Sequence, residues 1–320
     1  MYHCTEQLPS YELKQVLKIG TRESQLAAWQ ATLVQSLLHG HGTAADLVYI
    51  KSEGDIDTIT PLYELGVQGI FTKSLDAALL NQRVDLAVHS LKDVPTQLAE
   101  GLVLAAVLKR ASTKDILVHN GDTAFLEDFD SVATIATSSI RRKAQWLHRY
   151  PGHRIENLRG NVNTRLKKMS ESSWNGSIFA AAGLERIDLR PSHSIDLDWM
   201  LPAPSQGAIA IVCRIEDTHT REAVQHLHDE STALCTRIER DFLRALKGGC
   251  ATPVSALATI NDGKVNLKGN ICAPDGSTSI DIERELPKED AARLGNLCAE
   301  ALLEDPAAAS ILYAIRHERN

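Results

Sequence analysis

The chain has 320 residues and a net charge of −7, from 34 Lys and Arg residues against 41 Asp and Glu residues. This length allows two or three domains with sizeable cores, and the acidic excess argues against nucleic acid as a partner. Aromatic residues make up 5% of the chain, too few for the stacking surface of a single-strand binder. No apolar run is long enough to span a membrane, and residues 1–18 lack signal-peptide and transit-peptide patterns, so we expect a cytoplasmic protein with no membrane contact.

The cysteine and histidine spacings do not predict a metal site. The six cysteines are scattered without a C-x-x-C pair, so neither a disulfide framework nor a zinc site is indicated. His39 and His41, like His226 and His228, lack a nearby third ligand. We expect free thiols and no bound metal.

Residues 84–95 carry the strongest local signal for a functional site. An apolar run with β-branched residues predicts a buried strand, and it ends in the sequence His89-Ser90-Leu91-Lys92-Asp93. Pro95 then disfavours a helix at the preceding residue. In open α/β sheets, functional groups collect beyond the carboxyl ends of strands, so Ser90, Lys92 and Asp93 are site candidates. The alternative is an ordinary solvated turn.

The first strand and helix precede this stretch. Residues 16–22 predict a strand, Ser24 is a plausible N-cap, and apolar residues at helical spacing predict a helix ending at Gly40. Arg22 lies where the strand meets the helix N-terminus, a position that favours anions. A surface-turn arginine remains the alternative.

A second strand at 47–50 is followed by a long segment, 52–69, without clear periodicity. A loop of this length in a compact domain is usually a lid or disordered. Residues 71–80 predict a helix with Lys73 in its first turn, where the helix dipole disfavours a cation. Lys73 is therefore a candidate for binding an anion, with a solvated lysine as the alternative.

The next segment repeats this strand-to-helix arrangement. Strands are predicted at 102–108 and 116–118, separated by a polar connection at 109–114. A strand then ends in the hydroxyl residues Thr137 and Ser139, and Ser139 is the expected N-cap of a helix at 140–147. Arg141 and Arg142 occupy the first helical turn, against the dipole and each other, an arrangement that suits an anion bound between them.

A third strand-to-helix junction lies at 154–166. Gly160 permits a tight turn, with Arg159 and Arg165 on either side, and Arg186 follows a run of small residues. Each arginine alone is more consistent with a structural role. Together, arginines at successive junctions of an acidic chain predict one pocket for several carboxylates or phosphates.

The remaining pattern predicts the overall architecture. Residues 201–207 form a second connection and lead into a strand at 208–212, as in two-lobed binding proteins. A helix striped with Leu234, Ile238, Phe242 and Leu246 ends before Gly248-Gly249-Cys250. Alternating strands at 254–260, 265–271 and 280–286 and a last helix near 289–303 follow.

We therefore predict an α/β fold with two lobes that resemble the periplasmic-binding-protein (type II) architecture and a small C-terminal α+β domain with a three-stranded antiparallel sheet. The predicted domains are 14–110 with 206–228, then 114–202, then 231–320. Cys250 is either a small buried hydrophobe or, since two glycines precede it, an exposed thiolate nucleophile.

The motifs in combination resemble the porphobilinogen deaminase (hydroxymethylbilane synthase) family. The matching segments are 20–24 with Trp29 and Gln30, 89–95, 137–142, 158–165, 182–186, 206–208 and 248–253, in family order along the chain. The resemblance implies a cytoplasmic, monomeric transferase of tetrapyrrole and heme biosynthesis. It joins four porphobilinogen molecules head to tail, with loss of ammonia, and passes the linear hydroxymethylbilane to uroporphyrinogen-III synthase.

The resemblance also implies roles for the site residues. Cys250 carries a dipyrromethane cofactor through a thioether, and Asp93 is the catalytic residue that hydrogen-bonds pyrrole N–H groups and helps to move protons. The cofactor-binding residues implied are Cys250, Lys92, Ser90, Thr137, Ser139, Arg141, Arg142 and Arg165. The substrate-binding residues implied are Arg22, Ser24, Gln30, Lys73, Arg159 and Arg186. The segment 52–69 matches a mobile family loop, but Gln68 stands where the family often has lysine.

Two other functions are compatible with parts of the pattern. A two-lobed carboxylate-binding protein without catalysis would use the same basic pocket. A hydrolase would pair Ser90 with Lys92 and would need an oxyanion hole.

Overall fold

The computed structural model describes residues 16–51, 72–128, 130–249 and 252–317. The predicted loop at 52–69, with Gln68, and the predicted attachment residue Cys250 lie outside the described residues. Within the described ranges no helix is long and apolar enough to cross a membrane.

The first lobe is built on a five-stranded sheet of order β2-β1-β3-β10-β4. Strands β1 (Leu17–Thr21), β2 (Ala45–Tyr49) and β3 (Leu86–Ser90) are parallel, and β10 (Ile209–Arg214) runs antiparallel to β3 and to β4 (Leu102–Val107). The helices of this part of the chain are α1 (Gln25–Gly40), α2 (Lys73–Leu80) and α6 (Thr218–Gln225). Apolar residues such as Ile19, Leu86 and Ile211 on one face, and Ala87 and Val212 on the other, form two buried clusters.

The second lobe repeats this plan with the order β7-β6-β8-β5-β9. Strands β6 (Thr134–Ala136), β7 (Arg154–Glu156) and β8 (Gly176–Ala180) are parallel, and β5 (Asp115–His119) is antiparallel to β8 and β9 (Ser194–Asp196). Its helices are α3 (Ile140–Arg149), α4 (Val162–Glu171) and α5 (Ala181–Glu185). In each sheet the strand that enters from the other lobe, β10 or β5, is the antiparallel one beside the parallel set.

The third unit packs helices on an antiparallel sheet of order β11-β12-β13. The strands are β11 (Val254–Asn261), β12 (Lys264–Cys272) and β13 (Ser279–Pro287), and the helices are α7 (Glu230–Ala245), α8 (Leu294–Leu303) and α9 (Pro306–His317). Phe242 of α7 is fully buried against this sheet, and a Cβ at Gly269 would lie 2.7 Å from its ring. The absence of a side chain at that position lets helix and sheet approach closely.

The predicted fold class is confirmed: two α/β sheets and a three-stranded antiparallel sheet are present. Two expectations about the elements need correction. The segment predicted as one last helix near 289–303 begins as a 3₁₀ turn, Lys288–Arg293, before α8, and it is not the last helix because α9 follows. Strand β9 had no counterpart in the sequence prediction, since its three residues are only half-buried and too few for alternation to be visible.

Two connections join the lobes, and the third unit holds them. The buried carboxylate of Glu239 on α7 accepts two hydrogen bonds from Arg110 in the first connection, at 2.6 and 3.0 Å. It also accepts from the backbone N–H of Ser205 in the second connection, at 2.6 Å, and of Ala258 on β11, at 2.8 Å. The side chain of Glu239 therefore fixes both connections to the third unit.

Candidate active site

The first lobe contributes side chains that follow β1 and β3. Ser24 caps α1, its hydroxyl accepting a hydrogen bond from the Ala27 N–H, as the sequence predicts. Arg22 lies half-buried just before this cap. Gln30, buried in α1, donates to the hydroxyl of Ser90 at 2.9 Å. The helix and the strand end are thus linked side by side, and both hold polar groups at the carboxyl end of the sheet.

Lys92 and Asp93 lie in a 3₁₀ turn, Leu91–Asp93, immediately after β3. Arg240 of α7 donates to the backbone carbonyls of Val94 at 2.8 Å and Pro95 at 2.5 Å, so the third unit holds this turn in place. Lys92 Nζ donates to Gln206 Oε1 at 3.3 Å. Burial, together with the nearby charge of Arg142, lowers the pKa of Lys92 to about 8.

The second lobe contributes the first turn of α3. Ser139 is its N-cap, as predicted, and the Ser139 N–H donates to the hydroxyl of buried Thr137 at 3.2 Å. Arg141 and Arg142 are both buried, and they share one partner that sequence reasoning did not identify, the carboxylate of Asp115. Arg141 Nη2 lies 2.6 Å and Arg142 Nη2 2.7 Å from its two oxygens.

The turn between β7 and α4 holds two further arginines. Gly160 has φ +112°, a conformation that favours glycine, and Arg165 Nε donates to its carbonyl at 2.7 Å. Arg159 is buried in the same turn. Burial, followed by the charges of Arg142 and Arg159, lowers the pKa of Arg165 to about 10. These guanidinium groups are therefore poorly solvated and electrostatically crowded.

These side chains form one connected set, which we call the inter-lobe cluster. Arg165 interacts electrostatically with Arg22, Asp93, Arg142 and Arg159, and Lys92 interacts with Asp93, Asp115, Arg141 and Arg142. The members of the cluster are Arg22, Lys92, Asp93, Asp115, Arg141, Arg142, Arg159 and Arg165. Six cations therefore face two carboxylates, and the cluster has a net positive charge in a protein that is acidic as a whole.

Two predicted cationic site residues, Arg186 and Lys73, are not members of this cluster. Arg186 donates to the carbonyl of Gly207 at 2.6 Å and lies 5.9 Å from the ring centre of Trp29, so it bridges the second lobe to the connection and to α1. Lys73 is exposed at the start of α2, and none of the contacts in the described ranges joins it to the cluster. Cys250 itself is outside those ranges, while Gly249 immediately before it is described.

The sequence prediction missed Asp115, Gln206 as a contact residue, and Glu239. Each is buried, and each makes its contacts with residues at least 19 positions away in the chain. A local sequence pattern does not predict contacts between residues so far apart in the chain. The one available signal was an isolated acidic residue at the start of an apolar strand, where burial without a partner would be costly.

Two family models match nearly the whole chain. Residues 17–222 match "Porphobilinogen deaminase, dipyromethane cofactor binding domain", and residues 233–304 match "Porphobilinogen deaminase, C-terminal domain". The chain belongs to the porphobilinogen deaminase family. Accordingly it is a transferase that polymerises porphobilinogen into hydroxymethylbilane, and dipyrromethane is its cofactor.

Similar proteins agree with this membership. The porphobilinogen deaminase of Syntrophotalea carbinolica is 42% identical over 291 residues, which cover 90% of this chain and 92% of the relative. That of Acidithiobacillus ferrooxidans is 41% identical over 307 residues, covering 94% and 98%. Among solved structures, lipoprotein Tp32 of Treponema pallidum is 10% identical with a TM-score of 0.43, covering 67% of this chain and 90% of that one. The fold assignment rests on the strand order of the two lobes.

The residues present suit a porphobilinogen deaminase cofactor. Dipyrromethane has two rings, each with an acetate and a propionate, so a site for it needs several cations that the protein has not already neutralised. The inter-lobe cluster has such an excess, and burial lowers the pKa of two of its arginines, Arg141 and Arg165. A desolvated cation gains more from a bound carboxylate than one in water does.

The Ser90–Lys92 hydrolase is not supported by the hydrogen bonds. The Ser90 hydroxyl is bonded to Gln30, and the Lys92 ammonium to Gln206. A nucleophile and its base need a hydrogen bond to each other. Among the described side chains, no three His, Cys, Asp or Glu residues come together as ligands for a metal ion.

Proposed function

We propose that the inter-lobe cluster is the active site, with Asp93 as its catalytic residue. The observation that carries the proposal is the excess of cations around Asp93, set between two lobes and partly buried. In this assignment Lys92, Ser90, Thr137, Ser139, Arg141, Arg142 and Arg165 hold the cofactor. Arg22, Ser24, Gln30 and Arg159 bind the substrate, with Lys73 and Arg186 as outer contributors.

Asp93 is suited to stabilising positive charge. Loss of ammonia from porphobilinogen leaves an electron-poor carbon, and a fixed carboxylate nearby stabilises the developing cation far better in a cleft than in water. The same carboxylate can accept a hydrogen bond from a pyrrole N–H and can exchange a proton with the departing amine. Lys92 beside it, with its lowered pKa, is a second group able to hold or release a proton near neutrality.

We further propose that Cys250 anchors the dipyrromethane and that the domains run 14–110 with 206–228, 114–202, and 231–320. When bound, the cofactor supplies the free pyrrole carbon to which the first substrate ring is joined. Cys250 follows Gly249, at the end of the segment after α7, and the same helix carries Arg240, which holds the Asp93 turn. This connectivity supports an anchor near the cluster.

The remaining assignments follow from family membership alone. We propose a monomeric cytoplasmic enzyme whose product passes to uroporphyrinogen-III synthase.

Intact mass with peptide mapping tests the anchor. We expect freshly purified protein to carry two extra pyrrole units on the peptide containing Cys250, and the Cys250→Ser variant to lack them. Cys213→Ala, a change on β10 of the first lobe, is the matched control and keeps the added mass. Wild-type protein without added mass would contradict the anchor.

Single-turnover kinetics test Asp93. We expect Asp93→Ala to retain its fold by circular dichroism and to lose at least about 10²-fold in rate, since it removes both electrostatic stabilisation and proton transfer. Asp122→Ala, on an exposed turn of the second lobe, is the control. Wild-type turnover in Asp93→Ala would remove Asp93 from the mechanism.

A further inference from the structure

Asp115, the first residue of β5, is a fully buried carboxylate at the base of the inter-lobe cluster. Its Oδ2 accepts from Arg141 Nη2 at 2.6 Å. Its Oδ1 accepts from Arg142 Nε at 3.1 Å, from Arg142 Nη2 at 2.7 Å, and from Gln206 Nε2 at 3.0 Å. Four donors on three side chains therefore converge on one group.

Other contacts complete the orientation of the two arginines. Arg141 Nη1 donates to the carbonyl of Leu201 at 2.7 Å, and Arg142 Nη1 to that of Ile178 at 2.9 Å. Each guanidinium has five N–H donors, so both keep donors for a further acceptor. The bonds to Asp115 thus fix where these remaining donors point.

The charges explain why a fixed carboxylate is needed here. Arg141 and Arg142 are adjacent, buried and in the first turn of α3, where the helix dipole also opposes a cation. Burial by itself would raise the pKa of Asp115, but the charges of Arg141, Arg142 and Lys92 outweigh it and hold the pKa well below its usual range. Asp115 is therefore ionised and neutralises one of the two guanidinium charges.

The hydrogen bonds of Asp115 extend through Gln206 to Lys92 of the first lobe. Gln206 lies in the second connection, where its Nε2 donates to Asp115 and to the carbonyl of Thr113 and its Oε1 accepts from Lys92. Asp115 thus fixes Gln206, and Gln206 orients the lysine next to Asp93.

We propose that Asp115 is a positioning residue. It is a counter-ion that holds the guanidinium groups of Arg141 and Arg142 in the orientation that binds the cofactor carboxylates, before the cofactor is bound. This inference rests on the proposed assignment of the cluster to cofactor binding. It has a thermodynamic consequence, because bound carboxylates can partly replace a missing Asp115. Loss of its charge therefore destabilises the unloaded protein more than the loaded protein.

Melting temperatures of four full-length proteins test this consequence. They are wild type (loaded), Cys250→Ser (unloaded), and each of these with Asp115→Asn, with loading verified by intact mass. We expect Asp115→Asn to lower Tm in the unloaded background by at least about twice the loss in the loaded background. Glu239→Gln is the matched control, since it removes a second fully buried carboxylate, whose partners Arg110, Ser205 and Ala258 are not members of the cluster, and it should lower Tm equally in both backgrounds.

Equal losses for Asp115→Asn in the two backgrounds would overturn the proposal. If Asp115→Asn does not fold in the unloaded background, the double variant Asp115→Asn with Arg142→Gln decides the question. We expect it to restore a cooperative melting transition, because it removes the unbalanced charge. Failure to recover stability would contradict the counter-ion role.

A third measurement does not depend on cofactor loading. In the unloaded background, citrate, as a soluble tricarboxylate, should raise the Tm of Asp115→Asn more than that of the protein with Asp115 intact. An equal rise would count against Asp115. Absence of added mass on wild-type Cys250 would instead count against the proposed anchor, while the citrate and double-variant results would still test Asp115.

Discussion

At the scale of single residues, His89 shows how burial near the inter-lobe cluster converts into pH dependence. It lies on β3 just before Ser90 and is buried. Burial, with a smaller contribution from the charge of Arg22, lowers the pKa of its imidazole from 6.5 to about 4. The folded protein therefore keeps His89 neutral at pH values where the unfolded chain protonates it.

The sign of the effect follows from proton binding. Below pH 6.5 the unfolded state takes up a proton that the folded state refuses until about pH 4, so stability falls as pH falls through this window. At pH 5 this contribution amounts to roughly 2 kcal/mol. We expect His89→Asn to lack this part of the acid sensitivity. The free energy of unfolding by which the variant falls below wild type should therefore be smaller at pH 5 than at pH 7, by that amount.

Urea unfolding at the two pH values measures the difference. His41→Asn, at the exposed C-cap of α1, is the control and should follow the wild-type pH dependence. A His89→Asn deficit that stays constant from pH 7 to pH 5 would show that His89 is not the group responsible.

Single residues also differ in whether their contacts could be predicted from the sequence. Ser24 and Ser139 were predictable as N-caps because a cap bonds to an N–H three residues along the chain. Asp115 was not, because its partners Arg141 and Gln206 lie 26 and 91 positions away. The six cluster cations could be proposed from sequence because they lie at junctions where a strand leads into a helix, and the fold brings these junctions together.

At the scale of elements, α7 carries more of the site's organisation than its apolar stripe indicates. Its Arg240 donates to three carbonyls of the segment that contains Lys92 and Asp93, those of Leu91, Val94 and Pro95. These bonds satisfy partly buried acceptors on that turn and on the residues that follow it. The helix therefore supports the proposed catalytic residue without containing it.

We expect Arg240→Leu to destabilise the protein by about 3 kcal/mol, because it removes several bonds from a charged donor to partly buried carbonyls. The effect should be concentrated at the Asp93 turn, so hydrogen exchange of the amides at 91–94 should accelerate more than exchange in β11–β13. Arg237→Leu, an exposed position on the same helix, is the control. Unchanged exchange at 91–94 in Arg240→Leu would contradict this role.

The second connection depends on a glycine. Gly207 has φ +86°, and a Cβ there would lie 2.5 Å from the carbonyl oxygen of Ser112 and 2.7 Å from that of Ala111. The two connections can therefore run side by side only without a side chain at this position. Its carbonyl also accepts hydrogen bonds from Ala111 N–H and Arg186.

We expect Gly207→Ala to cost more than the roughly 1–3 kcal/mol of a left-handed non-glycine residue, because the new Cβ collides with backbone. Gly263→Ala is a matched control, since Gly263 has φ +73° and no atom within 4 Å of an added Cβ. The difference between the two free energies of unfolding, from urea titrations, isolates the steric part. Equal costs would mean that the connections can separate without penalty.

The element scale sets another limit on prediction from sequence. Long apolar strands such as β3 and β10 were identified because their composition alone marks them. Strand β9 and the six-residue 3₁₀ segment before α8 were not, because such short elements carry too few residues for a periodicity to be visible. Tertiary pairing, here of β9 with β5, decides such short elements.

At the scale of the whole molecule, α1 of the first lobe contacts the second lobe directly, in addition to the two connections. Asn163 Nδ2 on α4 donates to Gln25 Oε1 on α1 at 2.9 Å, and both residues are exposed. A second contact is that of Arg186 with the ring of Trp29. The lobes are thus joined covalently by the connections and non-covalently by side chains at α1.

The contacts that join the two lobes must still allow the bound pyrrole chain to lengthen. The product has four pyrrole rings, and with the two rings of the cofactor the enzyme must hold a chain of six. The connections are fixed by the buried Glu239 and by the close approach at Gly207, whereas the bond between Asn163 and Gln25 is exposed, so this bond is the contact between the lobes that breaks most easily. We therefore expect relative motion of the lobes to begin by breaking the bond between Asn163 and Gln25.

A reversible cross-link tests this motion. In the variant Gln25→Cys with Asn163→Cys, a short bis-thiosulfonate linker should join the lobes, and we expect release of hydroxymethylbilane to fall at least about tenfold because the lobes can no longer separate as the chain lengthens. Cofactor mass should persist, since loading precedes cross-linking, and reduction of the linker should restore turnover. Each single-cysteine variant treated with the same reagent is the control. Full turnover with the lobes cross-linked would show that chain growth occurs without opening at α1.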